Sequence, residues 1–524
     1  MAIIMALIGV IFRTFWLSVG DNALRAETAV SNREGRLLLY RTKGLIYDTD
    51  LDPIAGNQPC RYCVINPRDF SKENLDILVK QTGIDREILS KKLKKETPFV
   101  VETIAEAEPM PGVFIFDGTK RYSGVAPHLL GYLDLAGEVG LSGIEKEFDD
   151  YLSLFSSAAY VSYEKDAVLG AIAGLGMEAI ETKASENGVV LTLDDALCLQ
   201  LNRSMEEHIE KGAGIVMDCR TGEIKAISSR PTYKEKEIAS YLQSTNGELI
   251  NRAFASQTVG SVFKIVIAAC ALEWDLEDFK YFCNGGIMIN ERTLACHDHN
   301  GHGEIGIEEA MAQSCNAYFI ALGQMLGYDR VAEMAKRFGY GDEIEIVGSI
   351  FAPKGSFPEK SSNLSLANFC IGQGELTASP MHIAMMTAVI ANEGVMPNAS
   401  VFKGFYLNGS LKTEEQQGEG KQIISLEHAE KLRQYCVYAV EHGTGQSALP
   451  SVGSAGGKTS SAQTGIIENG VEKLNVYFTG FYPAENPQYV ITVFAEDGVS
   501  GGKTCAPVFR ELCDFIAAQN GERK

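Results

Sequence analysis

Gly260-Ser-Val-Phe-Lys-Ile-Val-Ile-Ala-Ala-Cys-Ala-Leu272 is the stretch on which the reading of this 524-residue chain turns. Every residue from Ile265 to Leu272 is apolar. A helix that is apolar on all faces is buried on all faces, so this one belongs at the centre of a domain. Residues three apart share a helical face, which sets the Lys264 amine beside the Ser261 hydroxyl. The helix N-terminus adds a field that favours a developing oxyanion. An unaided serine is a poor nucleophile, and an amine able to take its proton activates it. The plainer reading makes Ser261 an N-cap and nothing more. Average composition gives about two Ser-x-x-Lys matches by chance in a chain of this length. Ser162-Tyr-Glu-Lys165 is such a match, in a polar stretch with no buried helix behind it.

Working outward, Ser314-Cys-Asn316 lies between a helical stretch, Ile307 to Ala312, and the apolar run Tyr318-Phe-Ile-Ala-Leu322. Its hydroxyl could relay a proton and its amide could hold a carbonyl. Ser361-Ser-Asn363 has the same pattern in a Ser- and Asn-rich loop. Further on, Lys458-Thr459 follows Gly456-Gly457 and precedes Ser460-Ser-Ala-Gln463. A strand there would offer backbone donors while Lys458 meets a carboxylate. Lys503-Thr504, also after two glycines, is a decoy.

Each element is weak alone, but the order Ser-x-x-Lys, Ser-x-Asn, Lys-Thr-x is the set found in penicillin-binding proteins and serine β-lactamases. Other stretches extend the likeness: Lys43-Gly-Leu-Ile-Tyr-Asp48, His128-Leu-Leu-Gly-Tyr132, Gly140-Leu-Ser-Gly-Ile-Glu-Lys146, Ala213 to Ala226, Ile371-Gly-Gln-Gly374 with Thr377 and Pro380, and Thr479-Gly-Phe-Tyr-Pro483. Over nearly its whole length the chain resembles the class B penicillin-binding proteins, the monofunctional D,D-transpeptidases of division, elongation and sporulation. The resemblance implies an α/β transpeptidase domain of the penicillin-binding-protein and serine β-lactamase type, an antiparallel sheet with helices, over residues 201–524. It implies an elongated α+β pedestal over 20–200 and a membrane segment over 1–19.

Carried over by resemblance, Ser261 is the acylated nucleophile and Lys264 its proton acceptor. Ser314 shuttles the proton and Asn316 orients the peptide. Lys458 and Thr459 bind the terminal carboxylate, and the backbone amides of Ser261 and Ser461 form the oxyanion hole. The substrates implied are peptidoglycan stem peptides, with β-lactam antibiotics trapped at the same serine; no cofactor and no metal are implied. A membrane glycosyltransferase is the implied partner. One position departs from the family: Ser460 stands where glycine is usual, and its side chain is expected to narrow the groove or to alter antibiotic affinity, since glycine lets a ligand backbone approach a strand closely. Two other functions compete. A D,D-carboxypeptidase or β-lactamase would use water to resolve the ester, but no Glu-x-x-Leu-Asn element follows Ser314 to position it. A non-catalytic scaffold of a wall-synthesis complex has only Ser460 in its favour.

Composition agrees with a large folded protein. Apolar residues are 45% and charged residues 22%, and the length calls for two or more domains. A net charge of −21 excludes a nucleic-acid-binding surface, because a polyanion would be repelled. Met1 to Val19 is apolar apart from Arg13, Thr14 and Ser18, only just long enough to span a bilayer. A single-pass anchor with an extracytoplasmic catalytic domain is the expectation; no basic region precedes the run as it would in a cleaved signal peptide, and a buried core helix is the alternative that length alone allows. Arg25, Arg33 and Arg36 oppose that orientation, a conflict that a start further upstream would resolve.

Asp69 to Lys95 reads as helical with a break at Gly83, and Thr192-Leu-Asp194 as a strand leading into a helix. Ile215 to Ser228 reads as a hairpin turning at Arg220-Thr-Gly222. Two long, mainly helical stretches are expected at about 260–340 and 370–395, an exposed loop at 408–421, strands at 475–480 and 489–495, and a last helix at about 506–518. The twelve cysteines are expected to be mostly buried thiols. Cys283, Cys296, His297, His299 and His302 cluster in sequence, but their spacing fits no common zinc pattern. Packing is the expectation there, with a Cys283–Cys296 disulfide or a metal as alternatives. Cys60 and Cys63 lack the second pair a zinc site needs.

Overall fold

The computed structural model describes residues 2–19 and 33–522, apart from 57, 104–106, 122–123, 167–169, 181–184, 235–236, 414–417, 419 and 469. It divides into two compact units. The smaller comprises 1–45, 55–122 and 153–186, and the larger 46–54, 123–152 and 187–524.

The smaller unit is α+β. Strands Gln58–Ile65, Phe99–Glu102 and Val113–Lys120 form one sheet, and Glu34–Thr42, Ser157–Glu164 and Glu178–Ile180 another. Helices Leu75–Thr82 and Arg86–Leu93 bury Leu78 and Leu89 against Cys63, Ile65, Val101 and Val113. The break between them falls at Gly83, whose left-handed φ of 66° ends the first helix, and Asp85 caps the second. Ser162 lies on a strand paired with Arg36 and Glu178. In a strand, residues three apart point to opposite faces, so this Ser-x-x-Lys match cannot place its amine beside its hydroxyl.

A separate helix, Ala2–Val19, covers the apolar start. Among the described residues no helix is long and apolar enough to cross a membrane. Arg25 lies outside the described residues, as do the side chains of Trp16, Leu17 and Val19.

The larger unit is built on an antiparallel sheet of β1 (Gly212–Asp218), β2 (Ile224–Arg230), β3 (Gly456–Glu468), β4 (Val471–Tyr482) and β5 (Tyr489–Ala495), in the order β2-β1-β5-β4-β3. The hairpin read at Arg220-Thr-Gly222 is β1–β2. The helices that matter are α1 (Asp195–His208), α2 (Lys264–Glu273), α3 (Asn316–Leu326), α4 (Pro380–Ala391), α5 (Leu426–His442) and α6 (Ala506–Glu522). Against the sheet pack α1 and α6, with Phe509 on Phe478, and also α4 and α5. All twelve residues of α4 are buried, the same logic by which α2 was placed in the interior. A chain of buried hydroxyls, Thr387 to Thr479 to Thr492 at 2.7 Å each, satisfies its polar groups where α4 meets the sheet.

Two sequence expectations need refinement. The mainly helical stretch 260–340 holds four helices but is interrupted by strands Tyr281–Cys283, Gly286–Ile289, Arg292–Ala295 and Gly303–Ile305. Turns at Gly285 and Asn290, both with positive φ, break the helical path, and strands this short carry too little alternation to read. Within 408–421, Ser410–Thr413 pairs with Phe402–Leu407 across a turn at Asn408–Gly409.

Candidate active site

Ser261 sits in a 3-10 turn, Gly260–Phe263, and the α-helix proper begins at Lys264. In a 3-10 turn residues three apart eclipse one another, so the serine lies one turn above the lysine. Gly260, at φ 65°, donates its N–H to the Gly372 carbonyl at 2.7 Å, which holds the turn from the Ile371-Gly-Gln-Gly374 side.

Lys264 and Lys458 are 0% and 1% exposed. Lysines are almost never so buried without a partner, and among the described residues neither meets a carboxylate. Both instead reach the Ser314 turn. Lys264 Nζ donates to Ser314 O at 2.7 Å, Ser314 Oγ at 3.2 Å and Asn316 Oδ1 at 2.7 Å. Lys458 Nζ donates to Ser314 Oγ at 2.9 Å and to Thr459 O at 3.0 Å. Ser314 takes a left-handed φ of 52°, rare for a non-glycine residue and recurrent at functional sites. Burial lowers the Lys264 amine to about 8, with the Cys315 and Cys296 thiols pulling the other way. Lys458 is lowered well below the usual lysine value by burial and then by Lys264.

The structure therefore brings Lys264, Ser314, Asn316 and Lys458 into one network. Ser261 stands beside it with no hydrogen bond to Lys264 among the described residues. Thr459 Oγ1 is 2.7 Å from Thr444 Oγ1, and Ser461 lies on the exposed side of β3 with its hydroxyl 3.4 Å from the Gly501 N–H. The decoys are accounted for: Ser362 caps the helix Asn363–Cys370, and Lys503 is exposed on the Gly501–Cys505 turn.

Ser460 does not narrow the groove. It is 2% exposed, and its hydroxyl donates to the Val259 carbonyl at 3.0 Å. The side chain thus ties β3 to the turn that carries Ser261. Replacing Ser460 by glycine removes that bond and adds a mid-strand glycine. The variant is expected to lose about 1–2 kcal/mol of stability while its acylation rate stays within about threefold. Calorimetry with acylation kinetics checks this, and a gain in stability would contradict the tie.

Three participants escaped the sequence reading. Thr444 was signalled only by two flanking glycines after a helix, in Gly443-Thr-Gly445. Gly372 was noticed as a likeness but not as a contact. Cys315 was passed over as the variable middle of Ser314-Cys-Asn316.

Residues 212–514 match the family described as penicillin binding protein transpeptidase domain. The chain belongs to that family. It is a class B penicillin-binding protein, and its transpeptidase domain is that of the peptidoglycan D,D-transpeptidases, which cross-link the cell wall. It is 27% identical over 434 residues to stage V sporulation protein D of Bacillus subtilis, covering 77% of this chain and 64% of that protein. It is 25% identical over 547 aligned positions to the peptidoglycan D,D-transpeptidase MrdA of Acinetobacter baumannii, covering 89% and 80%. Among solved structures, the D,D-transpeptidase domain of a peptidoglycan glycosyltransferase from Eggerthella lenta shares the fold with a TM-score of 0.66 at 24% identity, covering 91% of this chain and 99% of that one. Penicillin-binding protein PBP2 of Helicobacter pylori does so with 0.66 at 22%, covering 93% and 99%.

Proposed function

We propose that this penicillin-binding protein cross-links stem peptides through an acyl-enzyme at Ser261. The observation that carries the reading is the joint hydrogen bonding of two buried lysines to Ser314, one of them, Lys264, lying one turn along from Ser261. Lys264, as a neutral amine, takes the Ser261 proton while Oγ attacks the penultimate carbonyl. Ser314 passes a proton to the departing D-alanine amine, and an amine from a neighbouring strand then resolves the ester. Lys458 and Thr459 meet the terminal carboxylate, Asn316 orients the peptide, and the Ser261 and Ser461 amides receive the oxyanion. On its composition the apolar segment 1–19 is assigned as a single-pass anchor, with the catalytic unit outside the cytoplasmic membrane, beside a glycosyltransferase that supplies the glycan strands.

Fluorescent penicillin tests the reading. Wild type should carry one label, placed on Ser261 by peptide mass mapping, and Ser261→Ala none. A label that persists in Ser261→Ala would sink it. An ester that lasts minutes rather than seconds excludes a β-lactamase.

The acylation rate should also depend on pH in a set direction. The active form is neutral Lys264, and burial has moved its pKa down to about 8. The neutral fraction therefore grows as pH rises through 8, from about one tenth at pH 7 to about nine tenths at pH 9. The Cys315 and Cys296 thiols are the titratable groups that act on it. Stopped-flow acylation should rise roughly tenfold across that range. A flat or falling profile would remove Lys264 as the base.

A further inference from the structure

Directly beneath the Ser314 turn, Cys283, Cys296, His302 and Cys315 bring four ligand atoms within 4.8 Å of one another. They come from separate pieces of chain. Cys283 ends the strand Tyr281–Cys283, which pairs with Gly303–Ile305 just after His302. Cys296 follows the hairpin strand Arg292–Ala295, its N–H bonded to the Gly285 carbonyl at 2.9 Å. Cys315 is the N-cap of α3. The three cysteines are 1%, 1% and 0% exposed, and all are free thiols.

The spacing discriminates between packing and a metal. Cys296 Sγ is 3.8 Å from Cys315 Sγ and 3.7 Å from His302 Nδ1. A tetrahedral zinc with Zn–S near 2.3 Å and Zn–N near 2.05 Å requires edges of about 3.8 Å between sulfurs and about 3.6 Å between sulfur and nitrogen. A disulfide needs sulfurs about 2.05 Å apart. We propose that these four residues form a closed, structural zinc site built into the Ser-x-Asn motif itself. Three thiols release their protons as the ion binds, and neutral His302 gives the fourth ligand, with no position left for water or substrate. Cys315 lies between Ser314 and Asn316, and Asn316 Nδ2 donates to Ala295 O, next to Cys296, at 3.4 Å. The ion therefore clamps both active-site side chains against Lys264. This second role rests on the catalytic reading above; the site does not.

The test uses the full chain, purified, stripped with a chelator and reloaded with zinc or cobalt. Expected are one zinc per chain in wild type and in His208→Ala, and less than a tenth in Cys296→Ser and His302→Ala. His208→Ala controls for the surface group Glu207, His208 and Glu511. Cobalt-loaded wild type should show tetrahedral ligand-field bands with thiolate charge transfer, a readout that needs no variant to fold. The stripped protein should melt at least about 5 °C lower and take up fluorescent penicillin at least tenfold more slowly. Less than a tenth of an equivalent in reloaded wild type overturns the site. So does zinc retained by Cys296→Ser, an octahedral cobalt spectrum, or a Cys296–Cys315 disulfide in the protein as isolated. Stoichiometric zinc with unchanged labelling keeps the site and removes the clamp, whereas no Ser261-dependent label in zinc-loaded protein refutes the catalytic reading and leaves the metal result standing.

Discussion

Replacing Lys264 by methionine should slow acylation by a reporter β-lactam about 10³-fold, the span ascribed to a positioned general base, while the protein still folds. Methionine matches the volume of the lysine stem in a site that is 0% exposed, so no large cavity opens. The change also removes an amine that is costly to bury charged. Its pKa has fallen from 10.5 to about 8, equivalent to about 3 kcal/mol at neutral pH. Against that gain, Ser314 O and Asn316 Oδ1 lose a donor at 2.7 Å each, at roughly 1–3 kcal/mol apiece. The two effects oppose, so melting temperature moves far less than activity. Stopped-flow acylation and calorimetry on the same preparation separate them. A variant that keeps more than a tenth of the wild-type rate would show that the proton goes elsewhere.

The second large effect lies outside the three motifs. Gly372→Ala should cost about 10²-fold in acylation. Gly372 holds φ at 67°, and a Cβ there would come within 2.1 Å of the Gly260 carbonyl oxygen. Something must move, and the neighbour is the backbone of the turn that presents Ser261. A shift of about 1 Å in a nucleophile is enough for a loss of that size. Gly374→Ala is the control. It carries similar strain at φ 80°, but its Cβ would meet only Asn368 Cβ at an ordinary 3.4 Å. Both variants should lose about 1–2 kcal/mol to the left-handed backbone, and only Gly372→Ala should lose acylation. Equal rates in the two would break the link between this glycine and the turn.

Legibility followed the range of the interaction. The buried helix α2 could be read because eight consecutive apolar residues leave no polar face, and the β1–β2 hairpin because its turn chemistry is local. The pairing of β1 with β5, Ile215 opposite Thr492, joins segments far apart in the chain, and no local pattern encodes it. The same holds within the site. Spacing alone could pair Ser261 with Lys264, but only the fold shows that Lys458 donates to the hydroxyl Lys264 also reaches. The cysteine cluster failed as a sequence pattern for a related reason. All five of its named residues sit within 283–302, yet the structure keeps only Cys283, Cys296 and His302 together and adds Cys315, a residue hidden inside a motif read for its neighbours. Ser460 misled in the opposite way. The loss of a customary glycine pointed to a narrowed groove, whereas the hydroxyl turns inward to the Val259 carbonyl.

That inward turn has a consequence for drug chemistry. With the Ser460 hydroxyl engaged by Val259, the rim that an antibiotic would meet on β3 under the proposed function is main chain together with Thr459 and Ser461. An inhibitor substituent designed to grip residue 460 would find nothing to hold. Resistance arising at this codon would have to work by loosening the loop that carries Ser261, at a cost to the stability of the fold.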